Sequence, residues 1–448
     1  MKTSFKFGLF IILVIHTFIW YVAYYFLALE DIFGYYDSFP RFIIEKQGEY
    51  YATLLMTLIS FNILLATRGK ILEKIFSGLD KVYVAHKYSA YFIFLLIILH
   101  NSLIFGSRSH IGGFFSLAKE VANPLMYSFF LLIILSALPH IPFIKNIIKV
   151  PYHIWKYSHY FMGFLFIIGI YHSIGVRTLT FSNPTLSIYM YIIYIIGIYS
   201  IFYISIYYKF LKKRYVFYIS NIKKFTDISC VELSLAPENT QNQFIWKAGQ
   251  FAFFKIYQNN LKEIHPFTIS NTPNEKGEIR LSIRNLGDWT ERLVKEIKEN
   301  TKVSVEGPYG RFISDKSKNN LEIWVAGGIG ITPFLAFLQD YKLNNNPNKK
   351  IIFVWSVKNE SEAVYKEEIE KDLPINVDFI LHDTSKSGFF KLFKLSNLTN
   401  IINNKSSHVK DKYTNLYICG PVVMMEAIVN DAKKLNITDI HFEEFSFR

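Results

Sequence analysis

The chain has 448 residues, 51% of them hydrophobic, and a formal net charge of +13, a length that suits two or three domains. Charged residues number 24 within residues 1–210 and 61 in the remainder, so the first half reads as membrane and the second as water-soluble. The positive excess of the first half lies between apolar segments, as the positive-inside bias requires, which argues against nucleic acid as a partner; two cysteines, Cys230 and Cys419, exclude a disulfide framework and place their half in a reducing compartment.

The opening run MKTSFKFGLFIILVIHTFIW sets Lys2 and Lys6 before apolar residues. No small-residue cleavage site closes it and the apolar stretch continues to Ala28, which predicts an uncleaved membrane helix rather than a signal peptide. Six apolar segments follow one another at 7–28, 50–66, 82–105, 124–142, 153–176 and 186–208, each near the ~20 residues that span a bilayer core. The N-terminus and the loops 68–87, 145–156 and 209–214 carry 14 Lys and Arg, against only Arg41, Lys46, Arg108, Lys119 and Arg177 on the opposite side. This asymmetry predicts an integral protein of the plasma (inner) membrane with both termini in the cytoplasm.

After Arg214 the pattern changes to short alternating runs such as YVFYIS, CVELSLA, QFAFFKI and EIRLSIRN, which predict a small antiparallel barrel. From Leu321 onward the apolar strands LEIWVAGG, IIFVWSV, VDFILHD and NLYICGP alternate with helical stretches, as in a parallel α/β domain. The expected organisation is a six-helix transmembrane domain (1–210), an antiparallel β-barrel domain (211–316) and an α/β nucleotide-binding domain (317–448).

Ionisable residues inside a bilayer are costly and therefore mark function. The third segment carries His86 and His100; the fifth carries His153, His159 and His172. On a helix, 14 residues advance about 21 Å and return to within about 40° of the starting direction, so His86 and His100 share a face at two depths. His159 and His172, 13 apart, lie about 140° out of phase on an ideal helix, a mismatch that a bend or a π-bulge near Gly163 or Gly169 would relieve. If the two segments pack side by side, His86 faces His159 and His100 faces His172. Stacked pairs of neutral imidazoles without nearby cysteine or carboxylate suit six-coordinate haem iron. His16 and His153 have no partner at the same depth and read as interhelical hydrogen bonders.

In VAGGIGITPF, residues 325–334, Gly327, Gly328 and Gly330 let backbone approach a pyrophosphate, and Thr332 with Pro333 begins a helix whose positive end points at it. With HPFTIS at 265–270, IRNLGDWTERL at 283–293, CGP at 419–421 and the histidine spacings of 14 and 13, the chain resembles, over essentially its whole length, the ferric reductase and NADPH oxidase superfamily of transmembrane flavocytochromes. The resemblance implies a ferric reductase-like helical bundle followed by a ferredoxin-reductase-like module, with His86, His159, His100 and His172 as the ligands of two b-type haems. In the first flavin motif, His265, Pro266 and Phe267 precede Thr268 and Ser270, which lie by the isoalloxazine ring and the phosphates of FAD. In the second, Arg284 neutralises phosphate charge, Gly287 and Trp289 form the GDWT turn, and Thr290 opens a helix facing the pyrophosphate. Cys419, with Gly420 and Pro421, lies beside the nicotinamide, so Thr268 and Cys419 are the candidate catalytic pair. GPYGRF, 307–312, is implied as a turn between the soluble domains. Phe445 and Phe447 both qualify as the terminal ring against the flavin. Lys358 stands where relatives that favour NADPH often carry arginine; it offers a point charge without the planar fork, which leaves NADPH and NADH both open.

The implied reaction takes electrons from cytoplasmic NAD(P)H through FAD and two haems to a small external acceptor. Dioxygen ranks first because HPFTIS and GDWT are nearest the oxidase branch, and a ferric chelate second. Loops 30–49 and 106–123 show no evident metal-ligand cluster beyond isolated residues such as Asp31, Asp37 and His110. The lipid bilayer is the expected environment, and no obligatory protein partner is expected. A proton-coupled transporter or a structural subunit would not require intact nucleotide motifs.

Overall fold

The long helices follow the apolar runs: α1 Thr3–Leu27, α2 Phe39–Leu65, α3 Leu79–Phe105, α4 Ala122–Ala137, α5 Tyr152–Gly175 and α6 Pro184–Phe202, which continues as a π-helix over Tyr203–Leu211. The structure, a computed structural model, describes residues 3–27, 39–105, 116–138, 152–176, 179–240, 243–314, 321–344, 349–387, 414–434 and 436–443. Residues 1–212 form one unit and 213–447 a second.

Local chemistry sets the helix ends. Asn183 accepts the Leu186 N–H at 3.0 Å and Pro184 opens the helix, so α6 begins with a side-chain cap and a residue that needs no donor. The second helix starts at Phe39 rather than at the expected residue 50. Lys46, expected in an external loop, is instead buried in this helix and paired with Glu49 at 2.7 Å, one turn on. Glu49 also accepts hydrogen bonds from the Thr180 amide and hydroxyl. Satisfied in this way, the charges no longer force the chain out of the helix.

Among the described residues, Ile43–Leu65, Leu79–Ile104 and Pro184–Leu211 are long and apolar enough to cross a membrane; Phe10–Ala23 and Ala122–Ala137 are apolar but shorter. The 24-residue α5 is diluted by three histidines and Lys156. Leu58, Ile93, Leu96, Phe129, Phe166 and Met190 meet in one core drawn from α2 to α6. No π-bulge interrupts α5, which is a continuous α-helix over Tyr152–Gly175. Gly163 and Gly169 instead sit against Ile201 and Met56, so their lack of side chain serves packing.

In the second unit, strands β1 Tyr215–Phe225, β2 Cys230–Pro237, β3 Phe251–Ile256, β4 Ile264–Thr268, β5 Ile279–Arg284 and β6 Lys302–Tyr309 form an antiparallel sheet in the order β4-β3-β6-β1-β2-β5. Its alternating burial, with Val231, Leu233 and Leu235 of β2 inward, is what the period-2 pattern dictates. A parallel sheet follows, β7 Leu321–Gly327, β8 Lys350–Val357, β9 Val377–Asp383, β10 Thr414–Cys419 and β11 Asp439–Glu443, in the order β11-β10-β7-β8-β9. Its three central strands, β10, β7 and β8, are buried on both faces and hence almost continuously apolar. The core on one face, built on Trp324, Phe334, Phe337 and Phe353, also takes in Ala248 and Phe312 from the antiparallel half, so the two halves share apolar packing.

Candidate functional site

The strand order of the parallel sheet reverses between β7 and β10, and the crevice at the carboxyl ends of such strands is where dinucleotides bind in doubly wound sheets. The turn after β7 and the turn after β10 meet there. Gly328 takes the left-handed φ of +53°, and its carbonyl accepts the Trp355 indole N–H at 3.0 Å. A Cβ at Gly330 would lie 2.4 Å from the Cys419 carbonyl oxygen, so only glycine lets the two turns close on each other. Thr332 and Pro333 begin the helix α8, Thr332–Asn344, directly after this turn. Cys419 is fully buried, and burial, reinforced by the carboxylate of Glu443, holds its thiol well above the usual range. Gly420 and Pro421 pack on Gly327 through backbone and ring. Lys358 stands exposed just past β8, its carbonyl accepting the Ser385 N–H at 3.0 Å.

On the antiparallel half the two flavin motifs converge. β4 pairs with β3 along Phe251–Lys255, bringing His265, Pro266, Phe267 and Thr268 into one edge strand. Trp289, on the helix α7 Asp288–Glu296, lies under it, 4.1 Å from the His265 ring and 5.9 Å from Phe267 between ring centroids. The Thr268 hydroxyl and the Trp289 indole N–H are buried and have no hydrogen-bond partner among the described residues. Orphaned polar atoms in a native site call for an explanation, and a flavin with ring and phosphate acceptors fits both. Ser270 is used internally, its hydroxyl donating to the Arg280 carbonyl at 2.9 Å. Thr290 does not open the helix as expected; α7 begins at Asp288. The Thr290 hydroxyl accepts from the amides of Leu286 and Gly287 at 2.9 and 3.0 Å, fixing the turn that precedes the helix. Phe445 and Phe447 lie outside the described residues.

In the membrane unit His86 and His159 are brought together, ring centroids 5.8 Å apart. Of their two helices, α3 packs most extensively on α2 and α5 on α4, and both contribute to the same apolar core. Three of the four candidate ligands share one anchoring device. His86, His100 and His172 each hold a backbone carbonyl with Nδ1, that of Asn62 at 3.0 Å, Gly48 at 2.9 Å and Ala118 at 2.7 Å. A carbonyl only accepts, so Nδ1 carries the proton and Nε2 keeps its lone pair for a metal. His159 contacts the Ser136 hydroxyl through Nδ1 at 3.1 Å and stacks on Trp155 at 5.2 Å. Among the described residues no group of three or more His, Cys, Asp or Glu gathers as a metal site, and paired imidazoles without thiolate or carboxylate are a donor set that fits haem. His16 differs: Tyr189, Thr53 and Thr57 surround both of its ring nitrogens.

The sequence reading missed the groups that orient the ligands. Ser136 was visible as a polar residue in an apolar segment; the backbone carbonyls of Asn62, Gly48 and Ala118 carry no sequence signal at all. Trp355 and Glu362, which contact the glycine turn and Arg284, were also missed.

Comparison with known proteins supplies three family matches: residues 51–170 to a ferric reductase like transmembrane component, 221–313 to an FAD-binding domain and 324–430 to an oxidoreductase NAD-binding domain. The chain is similar to NADPH oxidase 1 of Rattus norvegicus, 34% identical over 122 residues that make up 25% of this chain and 22% of that protein. It is also similar to Dual oxidase 1 of Homo sapiens, 28% identical over 178 residues, 35% of this chain and 11% of that protein. These matches span less than a quarter of the length of either relative. Among solved structures, a ferredoxin NADP+ reductase from Neisseria gonorrhoeae with bound FAD and NADP matches 52% of the chain and 98% of its own length, with 15% identity and a TM-score of 0.44. Phthalate dioxygenase reductase matches 51% of the chain and 67% of its own length, with 17% identity and a TM-score of 0.43.

Proposed function

We propose that this chain, a homologue of the NADPH oxidases that joins a ferric reductase like transmembrane component to FAD-binding and NAD-binding domains, moves electrons from cytoplasmic NAD(P)H across the membrane to a small acceptor on the outer side. As an oxidase reaction, one NAD(P)H and two dioxygen molecules give NAD(P)+, a proton and two superoxide ions. The orientation, with both termini in the cytoplasm of the plasma (inner) membrane, and six crossings by α1 to α6 are part of this reading, supported by the Lys and Arg asymmetry.

Bound FAD supplies the passage from hydride to single electrons, and two b-type haems supply one-electron carriers at two depths. The chain's own residues supply position. His86 and His159 hold the inner haem, and His100 and His172 the outer. Thr268 and Trp289 complete their hydrogen bonds on the flavin, His265, Pro266, Phe267, Ser270 and Gly287 shape its cleft, and Arg284 meets its pyrophosphate. Gly327, Gly328, Gly330, Thr332 and Pro333 receive the nicotinamide cofactor's pyrophosphate. Cys419, with Gly420 and Pro421, sits beside the nicotinamide; its thiol, kept neutral by burial, adds no charge to the hydride's path. Lys358 offers a point charge to a 2′-phosphate, which suits NADPH as donor and leaves NADH open. One of Phe445 and Phe447 covers the flavin.

The observation that carries the reading is the common anchoring of His86, His100 and His172 through Nδ1, which leaves each Nε2 available as a ligand. Dioxygen as acceptor is supported by the oxidases among the relatives; a ferric chelate, the second reading, by the family matched over residues 51–170. The deciding assay sets superoxide-dismutase-sensitive dye reduction in air beside anaerobic ferric-chelate reduction. Superoxide formation with slow iron reduction is expected; fast anaerobic iron reduction with little superoxide would reverse the ranking.

A further inference from the structure

Side chains alternate across a strand, so Arg280, Ser282 and Arg284 share one face of β5. That face meets the segment following β8 at a matching spacing of three residues. Arg284 donates through Nη1 and Nη2 to Glu362 at 3.2 and 3.1 Å, the Tyr365 hydroxyl donates to Ser282 Oγ at 2.7 Å, and Arg280 donates to Glu368 at 2.8 Å. The middle contact is buried, with Tyr365 only 2% exposed. The seam therefore ties the parallel half to the very strand that ends in Arg284.

The pair at the end of the seam has a peculiarity. Both terminal nitrogens of the Arg284 guanidinium are engaged by one carboxylate, at side-chain exposures of 23% and 13%, and a two-pronged fork is the geometry with which arginine also binds phosphate. One edge of a guanidinium does not serve two bidentate anions at once. Arg284 also stands beside the glycine turn, its Nη1 3.7 Å from where a Cβ on Gly328 would lie.

We propose that Glu362 competes with the FAD pyrophosphate for Arg284, so that flavin occupancy releases one end of the 360–370 clasp while Tyr365 and Glu368 keep their hold on β5. The proposal rests on the assignment of Arg284 to the pyrophosphate. Because Glu362 belongs to the turn that leads on from Lys358, its release would pass the state of the flavin site to the edge of the nicotinamide cofactor's site.

The test titrates FAD into full-length protein stripped of flavin and follows quenching of flavin fluorescence. Glu362→Gln, which keeps the shape and removes the charge, should tighten FAD about two- to fivefold, the range of a partly exposed ion pair. Glu362→Ala should shift affinity in the same direction, and Glu368→Gln should leave it unchanged. Equal or weaker FAD binding in both Glu362 variants would overturn the competition. Arg284→Gln separates the two claims: if it leaves FAD affinity intact, the underlying assignment fails; if it weakens FAD while the Glu362 variants match wild type, only the competition fails.

Discussion

The two units build their candidate sites by opposite means. In the membrane unit the site is made of side chains, four imidazoles on two helices, and the backbone's part is to lend carbonyls that fix three of the rings. In the soluble unit the nucleotide site is made chiefly of backbone, two turns at the sheet reversal that approach so closely that a Cβ at Gly330 would strike Cys419. The difference follows from solvent. In a bilayer every polar side chain must be matched and is therefore rare and decisive. At the end of a parallel sheet, strand ends and helix starts already provide the polar groups that a pyrophosphate needs.

Single substitutions should break the units separately. The largest effect is expected for His100→Leu: haem content measured as pyridine haemochrome should fall from two per chain to one, while NAD(P)H-driven flavin reduction stays intact. Gly330→Val should do the reverse, leaving haem content unchanged and slowing flavin reduction by about a hundredfold in stopped flow, because a displacement near 1 Å costs on that order. Ser136→Ala removes the only side-chain partner described for the His159 Nδ1; loss of such an orienting contact costs about tenfold in metal retention at the lower end of the usual range, and haem loss to apomyoglobin would report it. The smallest effect belongs to Lys358→Gln. It should lower the NADPH-to-NADH ratio of kcat/KM by about fivefold, the worth of one exposed charge pair, with kcat for NADH unchanged.

Much of this division is legible in the amino-acid sequence, for reasons that differ by region. Histidine positions and the glycine turn are single-residue signals, and the structure brings His86 to His159 and Gly330 to Cys419. The start of α2 was not legible: Lys46 and Glu49 look like loop charges in a linear reading, and only their pairing one helical turn apart shows why the helix runs through them. The phase problem between His159 and His172 suggested a bend or a π-bulge near Gly163 or Gly169, yet α5 has no π-bulge and the two imidazoles are held by different neighbours, Ser136 and Ala118. Sequence spacing constrains the helix that carries a ligand and says nothing of the element that orients it. Arg284 was identified, but Glu362 lies 78 residues away along the chain, and such a pairing is set by tertiary contact alone.

The central claim is that one chain links NAD(P)H to paired-imidazole haem sites across a bilayer. Anaerobic addition of NADPH to the purified, FAD-supplemented protein in detergent or nanodiscs, followed by absorption spectroscopy and haem quantification, tests it most directly. The expected result is a b-type reduced-minus-oxidised spectrum, with two haems per chain, that develops upon NADPH addition. A protein purified without haem after expression with ample haem supply, or haem that dithionite reduces and NADPH with FAD does not, would contradict it.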